Sequence, residues 1–393
     1  MTLRIAHITD ERYPSIHTDC QQVIKTADAL GKEGCHVDLI MPRMLKHLTL
    51  TRSETKKRIA AHFNVSGQFH IRDILTVPGS DLRVEKLPHG LIAPLLASLG
   101  NYDVVHTRNL IPLSLGALLG LPLLFETYRA LPRTEPRAWR LVQQAMRSYN
   151  FVGIITHSAY AKKSMVDSGT SEDLIEAIPN GYDPEDFRDT LTKTEARKKL
   201  NLPEGNLAVY TGHIRPDKGT PTLINLAEDC PQCHFLLVGG FANDVSNLKK
   251  ILASRSIDNV SLVEQVPIAS VPTYLAAADV LLLPTSGAPL AKPGRSTVLP
   301  MKIFTYLASG RPILGPDLPD TEGILIHEHN GLRVPPDERS IAARELRRLL
   351  EDIPLRDRLG AAGAQDSAKY TWQSRAKRII EFIKERQKNM GAR

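Results

Sequence analysis

Short apolar runs alternate with longer helical stretches along this chain, and the whole alternation occurs twice. The runs of the first half are RIAHIT, HVDLIMP, DVVH, LPLLFET, VGIITHS and IEAIPN, and those of the second half are LAVYTGH, FLLVGG, VSLVEQV, DVLLLPT, RPILGPD and GLRVPP. Nearly continuous apolar runs of this length are typical of parallel strands that helices cover on both faces. The pattern therefore predicts an α/β fold of two doubly wound, Rossmann-like domains in series.

A polar, charged segment, TLTKTEARKKLNLPEGN, separates the two sets of runs and is interpreted as a linker. The length of 393 residues fits two domains, since domains mostly contain ~100–200 residues. The predicted boundaries are 1–190 for the first domain, 191–370 for the second and 371–393 for a C-terminal helix. Because open α/β sheets bind ligands at the carboxyl ends of their strands, we expect the site in the cleft between the domains.

Composition favours a cytoplasmic location. The N-terminus lacks the apolar core of a signal peptide, and the uncharged run 109–125 is shorter than the ~20 residues of a spanning helix. Four cysteines are too few for a disulfide framework in a chain of this size. Cys230-Pro-Gln-Cys233 lacks two further ligands at the spacing of a zinc site, so we interpret these cysteines as structural.

The net charge of +7 comes from basic residues concentrated in the first 150 positions and near the C-terminus. The basic stretches 42–63 and 129–147 suit an anionic membrane, a phosphorylated acceptor or nucleic acid, or are ordinary solvated helix faces. Aromatic residues are not interleaved with them, so we expect no nucleic acid partner. The apolar residues of 42–63 form no single helical stripe, which predicts a loosely held loop that meets anionic lipid or a phosphorylated acceptor. Our hypothesis is that the protein associates peripherally with the inner face of a membrane.

The stretch TGHIRPDKGTPTLINLA (211–227) suits a phosphate site. It places Gly212 at a strand end and predicts that Lys218 and Gly219 open a helix, where free N–H groups and the helix dipole favour anions. Arg215 and Lys218 could add charge-assisted hydrogen bonds. The spacing is not that of a Walker A motif. An ordinary strand–loop–helix corner remains an equally good interpretation of this stretch alone.

A second stretch, PMKIFTYLASGRPIL (300–314), places another lysine at a helix start. Pro300 suits the first helical position and Gly310 the position just after the helix end. Lys302 and Thr305 lie three residues apart and therefore share one face. Two lysine-bearing helix starts in one domain favour a diphosphate ligand.

These pieces together resemble one family. TGHIRPDKG, FLLVGG, VPTYLAAADVLLLPT, PMKIFTYLASGRPIL, HNGLRVPPDERSIA and YTWQSRAKRIIEF are similar to the retaining glycosyltransferases of family 4 (group 1), which have the GT-B fold. The first half matches more loosely, through IPNGYDPEDF and ITHSAYAKKSM. The resemblance implies two Rossmann-like domains facing each other across a cleft, with the acceptor in the first and the nucleotide-sugar donor in the second. It also implies that the helix 371–393 crosses back to the first domain, and that the enzyme needs no metal and no resident cofactor.

The resemblance also implies roles for individual residues. Tyr128 and Lys218 would be catalytic. Donor contacts would come from Gly212, His213, Arg215, Lys218, Val266, Thr297, Lys302 and Thr305. Acceptor or sugar contacts would come from His17, Thr18, Asp19, Arg108 and Arg129.

The chain departs from the family pattern at several of these positions. Thr297 and Thr305 stand where the family has two glutamates spaced Glu-x7-Glu, and His213 stands where it has an arginine. Tyr128 replaces the histidine of a Glu-x-His motif. Neutral hydrogen bonds are about half as strong as charge-assisted ones, so these changes weaken individual donor contacts.

Two functions fit this picture. The first is an active glycosyltransferase of a divergent branch, which moves a sugar to a saccharide or lipid-linked acceptor in polysaccharide or glycolipid synthesis. The alternative is a catalytically silent GT-B protein that binds a nucleotide or sugar, or supports a partner enzyme. Other GT-B enzymes, such as a nucleotide-sugar epimerase, remain open.

Overall fold

The computed structural model describes residues 2–15, 18–44, 48–76, 86–284 and 299–391. The chain divides into two compact units. The first contains residues 1–180 together with Trp372–Arg393, and the second contains Gly181–Thr371. Each unit has one parallel sheet with helices packed against it, as the alternation of apolar runs predicts.

The first unit holds a seven-stranded parallel sheet. Its elements are β1 (Arg4–Ile8), α1 (Thr18–Lys32), β2 (His36–Met44), α2 (Arg52–Phe63), β3 (His70–Thr76), α3 (Lys86–Ser98), β4 (Val104–Thr107), α4 (Leu110–Leu118), β5 (Leu123–Thr127), α5 (Leu131–Thr134), α6 (Pro136–Ala145), β6 (Phe151–Thr156), α7 (Ala159–Val166) and β7 (Ile175–Ala177). The strand order is β3-β2-β1-β4-β5-β6-β7. Strands β4, β5 and β6 are buried along their whole length, because helices cover both faces of the sheet.

The second unit holds a six-stranded sheet in the order β10-β9-β8-β11-β12-β13. Its elements are α8 (Lys193–Lys199), β8 (Asn206–Thr211), α9 (Thr220–Asp229), β9 (Cys233–Gly240), α10 (Ala242–Ser254), β10 (Val260–Glu264), α11 (Val271–Ala277), β11 (Val280–Leu282), α12 (Lys302–Ala308), β12 (Ile313–Pro316), β13 (Gly331–Val334), α13 (Arg339–Glu351) and α14 (Ile353–Ser367). The cysteines of the Cys-x-x-Cys pair are free and lie in the hydrophobic core of this unit.

A last helix, α15 (Trp372–Gly391), belongs to the first unit and packs against α1 and β6. Its buried residues include Trp372, Ala376, Ile379 and Ile383, whose spacing places them on one side of the helix. In the part of the chain that the structure describes, no helix combines the length and the apolar character needed to cross a membrane.

Two predictions about irregular segments are wrong. The segment 42–63 is not a loose loop, since a Thr51–Glu54 capping box starts α2 at Arg52, and Ile59 and Phe63 are buried. The supposed linker contains α8, which starts with its own capping box and packs against α11. Asp279 anchors α8 to the second unit through Lys193 and Arg197, at 2.9 and 2.6 Å.

Strand order locates the expected ligand sites. The order of the first sheet reverses between β1 and β4, and that of the second reverses between β8 and β11. In open parallel sheets the loops at the carboxyl ends of such neighbouring strands leave a crevice for ligands. The loops that follow β4 and β8 are therefore the expected positions of ligand-binding residues.

Candidate functional site

The loop after β8 is shaped by two glycines. Gly212 has a φ of +136° and Gly219 has a φ of +87°. Residues other than glycine rarely adopt these backbone angles. A Cβ atom on Gly219 would lie 1.5 Å from the carbonyl oxygen of Pro284, just after β11. Glycine here therefore lets the loop close onto the end of the neighbouring strand.

Lys218 does not open α9 as predicted. It ends a short 3-10 turn, Pro216–Lys218, and α9 begins at Thr220. The side chain is about half exposed, with its Nζ 4.0 Å from an Asp217 carboxylate oxygen. Arg215 also points to Asp217, at 3.0 Å. Both cations of this loop are thus accessible, and one aspartate shares their charge.

Lys302 lies against the same loop from the start of α12. Its Nζ is 3.8 Å from the centre of the Tyr210 ring, and a Cβ on Gly212 would lie 2.6 Å from that nitrogen. Burial, together with the smaller effect of the positive charge of Lys218, lowers the pKa of Lys302 to about 7. No carboxylate among the described residues forms an ion pair with Lys302. An anion bound beside Gly212 would supply the missing negative charge.

Hydrogen bonds hold α12 to the end of β8. The Tyr306 hydroxyl accepts a hydrogen bond of 2.8 Å from the backbone N–H of Thr211. The Thr305 hydroxyl donates to the carbonyl of Lys302, at 2.9 Å, within its own helix. Its oxygen remains able to accept a hydrogen bond from a ligand.

The remaining predicted donor residues are His213, Val266 and Thr297. The His213 ring makes an edge contact with Phe241, with centroids 5.4 Å apart. Val266 follows β10 and packs, partly buried, against the hydrophobic core. Thr297 lies outside the residues that the structure describes.

In the first unit, the predicted residues Arg108, Tyr128 and Arg129 follow β4 and β5, and Asp19, in the first turn of α1, lies beside Arg108. Arg108 donates to the Gln22 side chain at 2.8 Å and pairs with Asp19 at 3.3 Å. The guanidinium groups of Arg108 and Arg129 lie 5.5 and 5.0 Å from the centre of the Tyr128 ring. The two guanidinium groups, paired with Asp19 and Glu135, form with the Tyr128 ring a polar, aromatic surface suited to an anionic or sugar ligand. The side chains of His17 and Thr18 lie outside the described residues.

Below Tyr128 lies a buried polar cluster centred on Glu126. The Glu126 carboxylate accepts hydrogen bonds from Gln22 at 2.6 Å, from His157 at 2.5 Å and from Arg375 at 2.6 Å. Its second oxygen lies 2.7 Å from Nε2 of His106. Burial alone would raise the pKa of Glu126, but these cationic and hydrogen-bonding neighbours hold it well below its usual range.

His157 is neutral within this cluster. Burial lowers the pKa of His157 to about 4, despite the opposing effect of Glu126. Its Nε2 therefore carries the proton donated to Glu126, and its Nδ1 is left to accept from the Asn180 amide, 3.4 Å away. The cluster fixes the carboxyl ends of β5 and β6 in one arrangement, directly below the surface that carries Tyr128.

Sequence reasoning missed most of this cluster. It noted Glu126 only as the start of the altered Glu-x-His motif and assigned nothing to Gln22, His157 or Arg375. Arg375 comes from α15, far away in sequence, and it also donates to Thr26 and to the carbonyl of Pro179. A single arginine in an amphipathic helix carries no sequence signal for such a role.

Across the described ranges, no group of three or more His, Cys, Asp or Glu side chains is placed to hold a metal ion. Metal independence stays a prediction, since it concerns the reaction rather than these side chains.

Two family models match this chain. One, described as Glycosyltransferase Family 4, matches residues 21–186, and the other, described as Glycosyl transferases group 1, matches residues 205–352. The chain belongs to the family 4, group 1 glycosyltransferases. The first matched range lies in the first unit except for residues 181–186, the second lies in the second unit, and together they cover more than half of the chain.

Two relatives of known name are distant in sequence. The D-inositol 3-phosphate glycosyltransferase of Stackebrandtia nassauensis is 23% identical over 58% of this chain, which spans only 52% of that relative. The phosphatidyl-myo-inositol mannosyltransferase of Mycobacterium leprae is 25% identical, with 72% of this chain and 73% of the relative covered. The chain thus spans about half the length of the first relative and about three quarters of the second.

The solved structure of Anabaena HepE in complex with UDP is similar across both units. It has a TM-score of 0.75 at 15% identity, with 98% of this chain and 100% of HepE covered. A similarity at this level of identity shows the GT-B fold that the sequence predicts. It does not transfer the substrates of HepE to this chain.

Proposed function

We propose that this protein is a retaining, metal-independent glycosyltransferase that moves a sugar from a nucleoside diphosphate sugar to a saccharide or lipid-linked acceptor. The observation that carries the proposal is Lys302, held against Gly212 with a pKa lowered to about 7 and with no carboxylate partner among the described residues. Cleavage of the sugar–phosphate bond leaves negative charge on the diphosphate. Without a metal, that charge must be met by cations and N–H groups.

The donor is proposed to lie in the second unit. Lys302 supplies an amine whose protonated, cationic form a bound anion would stabilise. The accessible Lys218 supplies a second cation from the adjoining loop. The missing side chain of Gly212 lets the Lys302 ammonium group lie against the backbone where a phosphate would bind. A uridine donor is the first choice to test, because HepE has been solved both with UDP and with UDP-glucose.

Thr305 and Thr297 are proposed to contact the nucleotide or donor sugar through neutral hydrogen bonds. The Thr305 hydroxyl can accept from a ribose hydroxyl while it donates to its own helix. Replacement of Thr305 by valine should then weaken donor binding by about 0.5–1.5 kcal/mol. Equal affinity of the Thr and Val proteins would place the residue outside the nucleotide site.

The acceptor is proposed to lie in the first unit, on the surface formed by Asp19, Arg108, Tyr128 and Arg129. His17 and Thr18 remain part of this proposal as neighbours in sequence of Asp19. Tyr128 would orient the sugar, and the two arginines suit a phosphorylated acceptor. Names of two relatives include an inositol phosphate and a phosphatidylinositol, which supports an acceptor that carries phosphate.

A catalytically silent protein remains the second candidate. Tyr128 is a poor substitute for a histidine that assists a leaving group, and the Thr305 hydroxyl uses its proton on the Lys302 carbonyl. Such a protein would still bind a nucleotide through its lysines. Binding without turnover would identify it.

The test is a screen of UDP-, GDP- and ADP-sugars by calorimetry, followed by assays of donor hydrolysis and sugar transfer with and without a chelator. Lys218→Ala and Lys302→Met should each weaken donor binding by about 2–5 kcal/mol, because each leaves a bound phosphate without a charged partner. Lys249→Ala, on the exposed side of α10, is the matched control and should bind like the original protein. Unchanged donor affinity in both site variants would contradict the proposed donor site. The anomeric configuration of the product, read by NMR, tests retention.

A further inference from the structure

The outer side of α3 is apolar where a surface helix is normally charged. Leu87, Leu91, Ile92 and Leu95 of α3 and Leu99, just after its last residue, are all exposed, and Leu99 reaches 85%. Their helical spacing places them within one broad stripe that faces away from the sheet. The opposite side of α3 already supplies the core contacts, so these leucines are not needed to hold the helix in place.

The apolar surface continues onto the neighbouring helices. Helices α3, α4 and α6 connect strands in the same direction along the sheet, so right-handed crossovers place all three on one face. Helix α4 packs against both α3 and α6. It adds Ile111 and Leu118, and the α6 region adds Leu141 and Tyr149, the last 84% exposed. The outer side of α3, α4 and α6 is called the α3–α4–α6 surface below.

The charge on this surface has one sign. The segments 86–102, 104–125 and 136–166 contain no aspartate or glutamate. Arg137, Arg140 and Arg147 are exposed in and just after α6, and in the described part of the chain none of them forms an ion pair. The surface therefore combines exposed leucines, an exposed tyrosine and three unneutralised arginines at one border.

We propose that the α3–α4–α6 surface docks on an anionic lipid bilayer, with its leucines in the interface and its arginines on the lipid headgroups. An apolar face bordered by arginine and aromatic residues is the pattern of proteins that lie on membranes without crossing them. A protein partner of matching charge would also need to offer a large apolar area. The three adjoining helices carry no carboxylate. This favours a partner whose surface is uniformly negative, such as an anionic bilayer, over a protein whose surface mixes charges of both signs.

The location differs from the one predicted from the basic stretch 42–63. There Arg43 and Arg52 are neutralised by Asp73, at 3.0 and 2.6 Å, and α2 carries no exposed large apolar residue. The membrane proposal does not rest on sugar transfer. It can be measured on the full chain without any donor, so its failure and that of the proposed enzyme activity are distinguishable.

The experiment is co-sedimentation of the full chain with vesicles, either phosphatidylcholine alone or equal parts of phosphatidylcholine and phosphatidylglycerol, at low and high salt. We expect binding to the anionic vesicles that weakens at high salt. Arg137→Gln combined with Arg140→Gln should lower the partition coefficient on the order of 25-fold, because each basic residue near the headgroups contributes roughly fivefold. Leu91→Gln combined with Leu95→Gln should abolish binding at any salt.

Lys57→Gln combined with Arg58→Gln is the matched control, since it removes the same charge from the exposed side of α2. This control should bind like the original protein. Loss of binding in the α2 pair with retention in the Leu91/Leu95 pair would overturn the proposal. So would equal binding to neutral and anionic vesicles. A concentration-dependent dimer that the leucine substitutions disperse, without vesicle binding, would assign the surface to a second copy of the chain instead. Unchanged tryptophan emission confirms that each variant is folded.

Discussion

Replacing Arg375 with methionine should destabilise the first unit severely. The Arg375 side chain is 1% exposed and that of Glu126 is 0% exposed, with 2.6 Å between their charged atoms. Arg375 also donates to the backbone carbonyls of Ile178 and Pro179 and thereby ties α15 to the loop after β7. Methionine fills a similar volume but leaves the Glu126 charge buried, with Gln22, His106 and His157 as its remaining partners.

The expected magnitude follows from burial. Breaking a buried ion pair by removing one partner costs about 3–5 kcal/mol, because the other charge stays desolvated without compensation. Arg378 offers a control on the same helix, since it pairs with Glu176 at the same distance of 2.6 Å but with side chains 44% and 34% exposed. Arg378→Met should cost about 0–1 kcal/mol, as exposed ion pairs do.

Urea unfolding followed by tryptophan fluorescence measures this difference in the first unit alone. The chain has two tryptophans, Trp139 in α6 and Trp372 in α15, and both belong to that unit. The variant Glu126→Gln/Arg375→Met should recover part of the lost stability, because it removes the stranded charge. A midpoint for Arg375→Met that equals the midpoint for Arg378→Met would refute the reasoning. It would mean that water or a nearby cation compensates Glu126.

Three further predictions follow from particular side chains. His157 has a folded pKa of about 4, below its unfolded value of about 6.5. The unfolded chain therefore binds the extra proton between these values, and stability is full above pH ~6.5 and falls by about 3 kcal/mol towards pH 4. His157→Asn should flatten that slope in urea midpoints measured against pH, and an unchanged slope would contradict the assignment. Donor affinity should fall as pH rises through about 7, since a bound phosphate favours protonated Lys302, and Lys302→Met should remove this dependence in calorimetry. Gly219→Ala should lower the thermal midpoint of the second unit well beyond Gly205→Ala, because both have positive φ but only Gly219 would place its Cβ 1.5 Å from the Pro284 carbonyl oxygen; equal shifts by circular dichroism would show that the loop yields.

Local sequence patterns account for most of the sheet. Strands β4, β5 and β6 appear in the sequence as nearly continuous apolar runs. Both faces of each strand are buried, which favours apolar side chains at successive positions. The same criterion missed β3, an edge strand whose residues alternate between exposed and buried. Gly310 was predicted to follow the end of α12, and its φ of +67° just after Ser309 confirms the position. The correct predictions, strands β4–β6 and the end of α12, concern features that are visible in a few consecutive residues.

The failures concern segments whose conformation depends on distant partners. The segment 42–63 looked like a loop because its helix buries only Ile59 and Phe63, which form too narrow a stripe to recognise. The charged segment before β8 looked like a linker because the partner of its cations, Asp279, lies far ahead in sequence. Basic residues in a short segment predict that the segment is exposed. That prediction fails when a buried acidic residue from another part of the chain forms ion pairs with them.

The sequence by itself determined the α/β class and the two units, because short-range apolar periodicity marks the strands, and its motifs resemble those of the family. It also placed Lys302 and Gly212 among the candidate residues. Only the tertiary structure decided that Lys302 lies against Gly212, that Glu126 gathers Gln22, His157 and Arg375, and that the exposed leucines of α3 adjoin the arginines of α6. Hydrogen bonds and desolvation act over a few ångströms, and which residues come that close is set by how the strands order themselves in the sheet.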